Sequence, residues 1–133
     1  MKINWLDPKS PISKYFTVEE ALFLPSFKCL HIPSLSEQHN IANLAIIMDK
    51  VREYLGKPIK IHVWIRPAAV NCPSSTHNGE DYNASIGGAK RSAHIDGMAV
   101  DWSIPGMNCD EVRNKLISKL QELGLRMEDL PGS

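Results

Sequence analysis

The sequence predicts a domain that mixes α-helices with β-strands. Two observations carry this: two long apolar patterns at helical spacing, and two short runs rich in β-branched and aromatic residues that alternate like strands. A third bounds it. The 133 residues are 43% apolar and 23% charged, which suits one domain with a sizeable core of its own.

The elements follow in order. "FTVEEALFL" opens a short helix with Thr17 as N-cap and Glu20 three residues on, a capping box, and Pro25 ends it. Ser36 starts a longer helix to about Leu55, whose Ile41, Leu44, Ala45, Met48, Val51 and Leu55 recur at helical spacing; Gly56 and Pro58 stop it. "IKIHVWI" alternates, with Ile59, Ile61, Val63 and Ile65 on one face and Lys60, His62 and Trp64 on the other. Residues 66–93 read as a long polar loop, a feature that is often functional. "AVDWSI" is a second strand, with Val100 and Trp102 facing away from Asp101. Asn108 and Glu111 cap a last helix carrying Val112, Leu116, Leu120 and Leu123, closed by Gly124, and "LRMED" begins a further strand.

Composition excludes several functions. Fifteen basic and 15 acidic residues cancel, and no basic stripe is visible, so nucleic acid is not an expected partner. No stretch is apolar enough for membrane insertion, and the N-terminus lacks the apolar run of a secretory signal. Cys29, Cys72 and Cys109 are odd in number and far apart in sequence. They read as idle thiols of a chain made in a reducing cytoplasm, not as a disulfide framework. A monomer is expected.

The chemistry concentrates in "RSAHIDGMAVDW". His94 precedes Asp101 by seven residues. Zinc binds His nitrogen and carboxylate oxygen at roughly 2.0–2.2 Å, so two ligands of one ion nearly touch. Seven residues of straight strand would span roughly 23 Å. The pair can share a metal only if the chain folds back between them, and Gly97 is where it can. Spacing alone offers two ligands, where a catalytic zinc takes three and an open position.

"GGAKRSAHIDGMAVDW" resembles the signature SxHxxGxAxD of the zinc peptidases that cut bacterial cell walls, the D-alanyl-D-alanine carboxypeptidases and L-alanyl-D-glutamate endopeptidases. Ser92, His94, Gly97, Ala99 and Asp101 match, as does the upstream "GGA" at 87–89. "YFTVEEAL", "VREYLGKPI" and the strand running into "IRP" are similar to the single-domain members, many of them phage-encoded, so that the likeness covers roughly residues 13–128. The resemblance implies an α+β fold, a small antiparallel sheet with flanking helices, hedgehog/DD-peptidase-like. It implies hydrolysis of peptide bonds in peptidoglycan stem peptides with Zn2+ as cofactor. His94 and Asp101 would be metal ligands. Arg66 would stabilise negative charge on the scissile carbonyl or hold a substrate carboxylate, and Ser92 would bind substrate or the ligand loop. Made without a signal peptide, the enzyme would reach the wall by phage-mediated release or as part of a phage particle.

The family's third ligand is a histidine on a late strand, with an acidic general base shortly before it. No histidine follows His94 here. His31, His39, His62 and His77 are poor substitutes, and nothing singles out Asp96 or Cys109. Glu128 and Asp129 are the acids near the base's expected place. The sequence thus leaves two readings: a chain cut before its last strand, which the turn-like "EDLPGS" favours, or a degenerate two-ligand form. It also leaves open carboxypeptidase against endopeptidase. A non-catalytic module that binds cell wall or protein, and a structural phage component, are the other classes.

Overall fold

A computed structural model describes residues 2–90 and 92–123. The elements run α1 (Val18–Leu22), β1 (Phe23–Leu24), β2 (Cys29–Leu30), α2 (Leu35–Leu55), β3 (Lys60–Val63), α3 (Tyr82–Ser85), β4 (Asp101–Ser103), α4 (Cys109–Leu116) and α5 (Leu120–Leu123). β1 pairs with β2 and β3 with β4, both antiparallel. The α+β expectation with small antiparallel sheets therefore holds.

Helix α2 is the spine. Its N-cap is Ser34, two residues earlier than the sequence suggested, and Glu37 completes a capping box with it. Gly56 closes it in the left-handed conformation (φ 67°). Ile41, Ala45, Met48, Val51 and Leu55 are buried along one stripe against Phe16, Leu22, Leu24, Trp64, Ile65 and Leu116. Asp49, on another side of the helix, accepts from the Ser13 hydroxyl (2.9 Å) and from the N–H groups of Lys14 (3.0 Å) and Tyr15 (3.1 Å), which ties the N-terminal segment down.

Four expectations need correction. The first helix ends at Leu22, before Pro25, because Phe23 and Leu24 leave it to pair with Leu30 and Cys29. The alternation in "IKIHVWI" holds to Val63 and fails after it, and the strand carries a β-bulge. Ile61 faces Trp102, but the next pair is Val63 with Asp101, so His62 is the extra residue. Trp64, expected on the polar side, follows the end of β3 at Val63 and is fully buried beside Ile65, its ring edge-on to Phe16 with centroids 5.9 Å apart. The polar stretch 66–93 is no open loop. It folds through hydrogen-bonded turns and α3, and buries Val70, Cys72, Tyr82 and Asn83. The last helix breaks into α4, a 3₁₀ turn at Ile117–Lys119, and α5. Gly124 and the "LRMED" strand lie outside the described residues. No helix among the described residues is long and apolar enough to cross a membrane.

One buried latch joins α2 to residue 71. His31 is 3% exposed. Its Nδ1 accepts the N–H of Asn71 (2.9 Å), so Nε2 carries the proton and donates to Glu37 Oε1 (3.0 Å). Removing the ring leaves a cavity and an unmet N–H, and His31→Ala is expected to cost about 3 kcal/mol in urea unfolding. Burial pushes the Glu37 carboxyl up, but the hydrogen bonds from His31 and from the Ser34 N–H outweigh it, and the net shift is downward. The sign follows. This contribution to stability is complete above the ordinary glutamate value of about pH 4.3 and is lost as pH falls through the lower folded value. Urea midpoints measured from pH 6 to pH 3 should fall less steeply for Glu37→Gln than for the wild type.

Candidate active site

The bulge and a tight turn build the site between them. After β3, Trp64 and Ile65 enter the core and Arg66 emerges half-buried. Across from it, Ser92 caps one 3₁₀ turn, Ala93–Asp96, by accepting the N–H of His94 (3.2 Å). Gly97 ends that turn in the left-handed conformation (φ 77°). A Cβ there would also sit 2.8 Å from Ile41 Cγ1 on α2, so glycine is required twice over. The turn folds the chain back, and His94 Nε2 lies 3.3 Å from Asp101 Oδ1.

Trp64 fixes the turn from below. Its carbonyl sits 2.7 Å from His94 Nδ1, and its indole N–H donates to the carbonyl of Gly97 (3.3 Å). A carbonyl only accepts, so Nδ1 carries a proton and Nε2 is the nitrogen presented to Asp101. His94 is 5% exposed, whereas the Asp101 side chain is half exposed. The hydrogen bond with His94 holds the Asp101 carboxyl below its ordinary value; burial opposes this, and the charges of His94, Arg66 and His62 add to the lowering.

Arg66 belongs to the same cluster. Its backbone N–H donates to the His94 carbonyl (2.8 Å), and Nη2 donates to Ser92 Oγ (3.0 Å). Its Nε is buried without a partner among the described residues. The structure thus brings together Arg66, Ser92, His94 and Asp101. Glu128 and Asp129 lie outside the described residues.

Two groups at the site were not read from the sequence. His62, at the bulge, reaches the hydroxyl of Ser103 (2.7 Å) and is close enough to Asp101 to act on it electrostatically. Trp64 supports His94 through its backbone. Neither left a sequence signal, because both depend on strand register. The remaining histidines are elsewhere: His31 is in its latch, His39 is exposed on α2, and His77 stacks on Phe27 (4.1 Å between centroids) beside Glu80. The "GGA" preceding the site also has a packing reason. A Cβ on Gly88 would fall 2.1 Å from Asn83 Oδ1, while Asn83 Nδ2 donates to the Ala89 carbonyl (2.8 Å).

The family model for Peptidase M15 matches residues 15–129, which include every element of this cluster. The chain belongs to the Peptidase M15 family. Among curated proteins and among solved structures no match is found.

M15 peptidases are metal-dependent hydrolases, so the donors must be tested against zinc. In its neutral form, His94 turns a lone pair toward a carboxylate oxygen at 3.3 Å, and two acceptors so close repel unless a cation or a proton lies between them. A backbone carbonyl on the other ring nitrogen is the usual outer partner of a metal-binding histidine. These two residues fit zinc in donor type and orientation. Among the described residues no group of three or more His, Cys, Asp or Glu side chains is placed to hold an ion, so the fit extends to two ligands.

Proposed function

We propose that this M15 member hydrolyses peptide bonds in peptidoglycan stem peptides, with Zn2+ held by His94, Asp101 and a further ligand outside the described residues. The observation that carries this is the convergence of His94 Nε2 on Asp101 Oδ1 over a turn that only glycine fits. The resemblance to the hedgehog/DD-peptidase-like cell-wall peptidases supports the substrate class.

A bound zinc ion would supply Lewis acidity and, at neutral pH, an acidified water. The chain's own groups do the rest. Arg66, aimed by Ser92, places a permanent positive charge where the scissile carbonyl oxygen becomes negative, or binds a stem-peptide carboxylate. Trp64 keeps His94 in one tautomer and orientation. Glu128 or Asp129 is the proposed general base, taking a proton from the attacking water and returning it to the leaving amine. Release by a phage or carriage on a phage particle would bring the protein to its substrate.

A second reading is favoured by one observation, that the described residues stop at two ligands: a non-catalytic module binding cell wall or protein. Incubation with defined stem peptides and mass analysis of the products separates these readings. Zinc-dependent loss of terminal D-Ala marks a carboxypeptidase, and a cut after L-Ala an endopeptidase. No product at any zinc concentration, with retained binding to purified wall, overturns the enzyme.

A further inference from the structure

Asn83 is 3% exposed, and nothing in the proposed chemistry uses it. It sits in a ring of hydrogen bonds that begins and ends beside Arg66. The N–H of Tyr82, the residue before it on α3, donates to the carbonyl of Pro67, next to Arg66 (3.0 Å). The Asn83 carbonyl accepts the Gly88 N–H (2.8 Å), and Asn83 Nδ2 donates to the Ala89 carbonyl (2.8 Å). That carbonyl also accepts the Ser92 N–H (3.1 Å). Ser92 Oγ in turn accepts from Arg66 Nη2 (3.0 Å) and from the His94 N–H (3.2 Å). A hydroxyl oxygen has two lone pairs, so both are taken and Oγ has a fixed place. The Arg66 side chain makes no other hydrogen bond among the described residues, and its buried Nε is unmatched there. The aim of the guanidinium therefore depends on where Ser92 stands.

We propose that Asn83 is a positioning residue for Arg66, acting through the Ala89 carbonyl and Ser92. Two features separate it from a residue that only fills space. Asn83 Oδ1 is buried with no partner among the described residues, an unfavourable state that an apolar side chain would avoid. Oδ1 also packs on Gly88, where an added Cβ has no room, so the amide keeps one orientation with Nδ2 turned to Ala89. The fold keeps the donor although the acceptor goes unmatched. The His94 ring is held separately by the Trp64 carbonyl, so a shift of Ser92 disturbs Arg66 and leaves the metal pair in place. The consequence for catalysis rests on the proposed task of Arg66; the placement of its side chain does not.

The experiment reads the Arg66 side chain in the metal-free full chain, through the NMR resonance of its Nε–H, identified by its absence in Arg66→Lys. Asn83→Ala and Asn83→Ser should each shift that resonance and speed its exchange with water about 10-fold, while the amides of α2 keep their positions. Ser92→Ala should do the same, and Asn83→Ala combined with Ser92→Ala should do no more, because both cut one relay. The relay also runs in reverse. The Asn83 Nδ2 protons should shift in Ser92→Ala, a reading that needs no change at residue 83. On a stem peptide that the wild type cleaves, the Asn83 variants should lose about 100-fold in kcat/KM with zinc affinity unchanged. An unshifted Arg66 resonance in the Asn83 variants, an unshifted Asn83 amide in Ser92→Ala, or additive effects in the double variant overturns the proposal. If the wild type cleaves no stem peptide, the proposed function fails and the resonances still decide the role of Asn83.

Discussion

His94→Ala should reduce zinc affinity at least 100-fold in a competition titration with a chromogenic chelator, and abolish zinc-dependent cleavage of stem peptides. Loss of an outer partner alone costs metal sites about 10–100-fold, and a ligand itself costs no less. His94 is also buried and donates to the Trp64 carbonyl, so the same change will destabilise the fold by about 2 kcal/mol. Asp101→Asn separates the two effects. The Asp101 side chain is half exposed, and asparagine keeps its shape while removing its charge. It should weaken zinc comparably with the urea midpoint almost unchanged. Wild-type zinc affinity in both variants would remove this pair from metal binding.

Gly97→Ala should be the most damaging single methyl at the site. It forces a left-handed backbone on alanine and drives a Cβ to 2.8 Å from Ile41, which is fully buried on α2. Strain and overpacking together are expected to cost about 3 kcal/mol. Gly106→Ala is the matched control. Its φ is also positive (86°), but nothing lies within 4 Å of the added carbon, so only the backbone cost of about 1 kcal/mol applies. The difference between the two, read from urea midpoints, is the cost of the contact with Ile41. Because the turn sets His94, Gly97→Ala should also weaken zinc binding, whereas Gly106→Ala should not.

What the sequence revealed was local. Capping boxes at Thr17 and the buried stripe of α2 depend on residues three and four apart, and those patterns were legible. The fold-back between His94 and Asp101 was legible too, since a metal pair at that spacing demands a turn and Gly97 supplies it. The failures were non-local. The bulge at His62 exists only in register with β4, so the place of His62 beside Ser103 and Asp101 could not be read from alternation, and Trp64 is buried after the strand has ended at Val63. The meeting of Cys72 with the Leu30 carbonyl depends on how residues 66–93 fold back on β2, and polar composition hid the buried Val70, Cys72 and Tyr82 that make them do so. The general base expected near Glu128 and Asp129 is outside the described residues.

The double grip of Trp64 on the turn has a kinetic consequence. Its carbonyl holds His94, its indole holds Gly97, and its ring is fully buried among the core side chains. The turn therefore has no inexpensive way to open on its own; it can release only when the core around Trp64 does. Amide protons donated to the turn, those of Arg66 and Gly97, would then exchange with solvent as slowly as the interior of α2, and denaturant would accelerate all of them with one slope. The ligand pair would stay assembled through every fluctuation short of global unfolding, whether or not an ion is present.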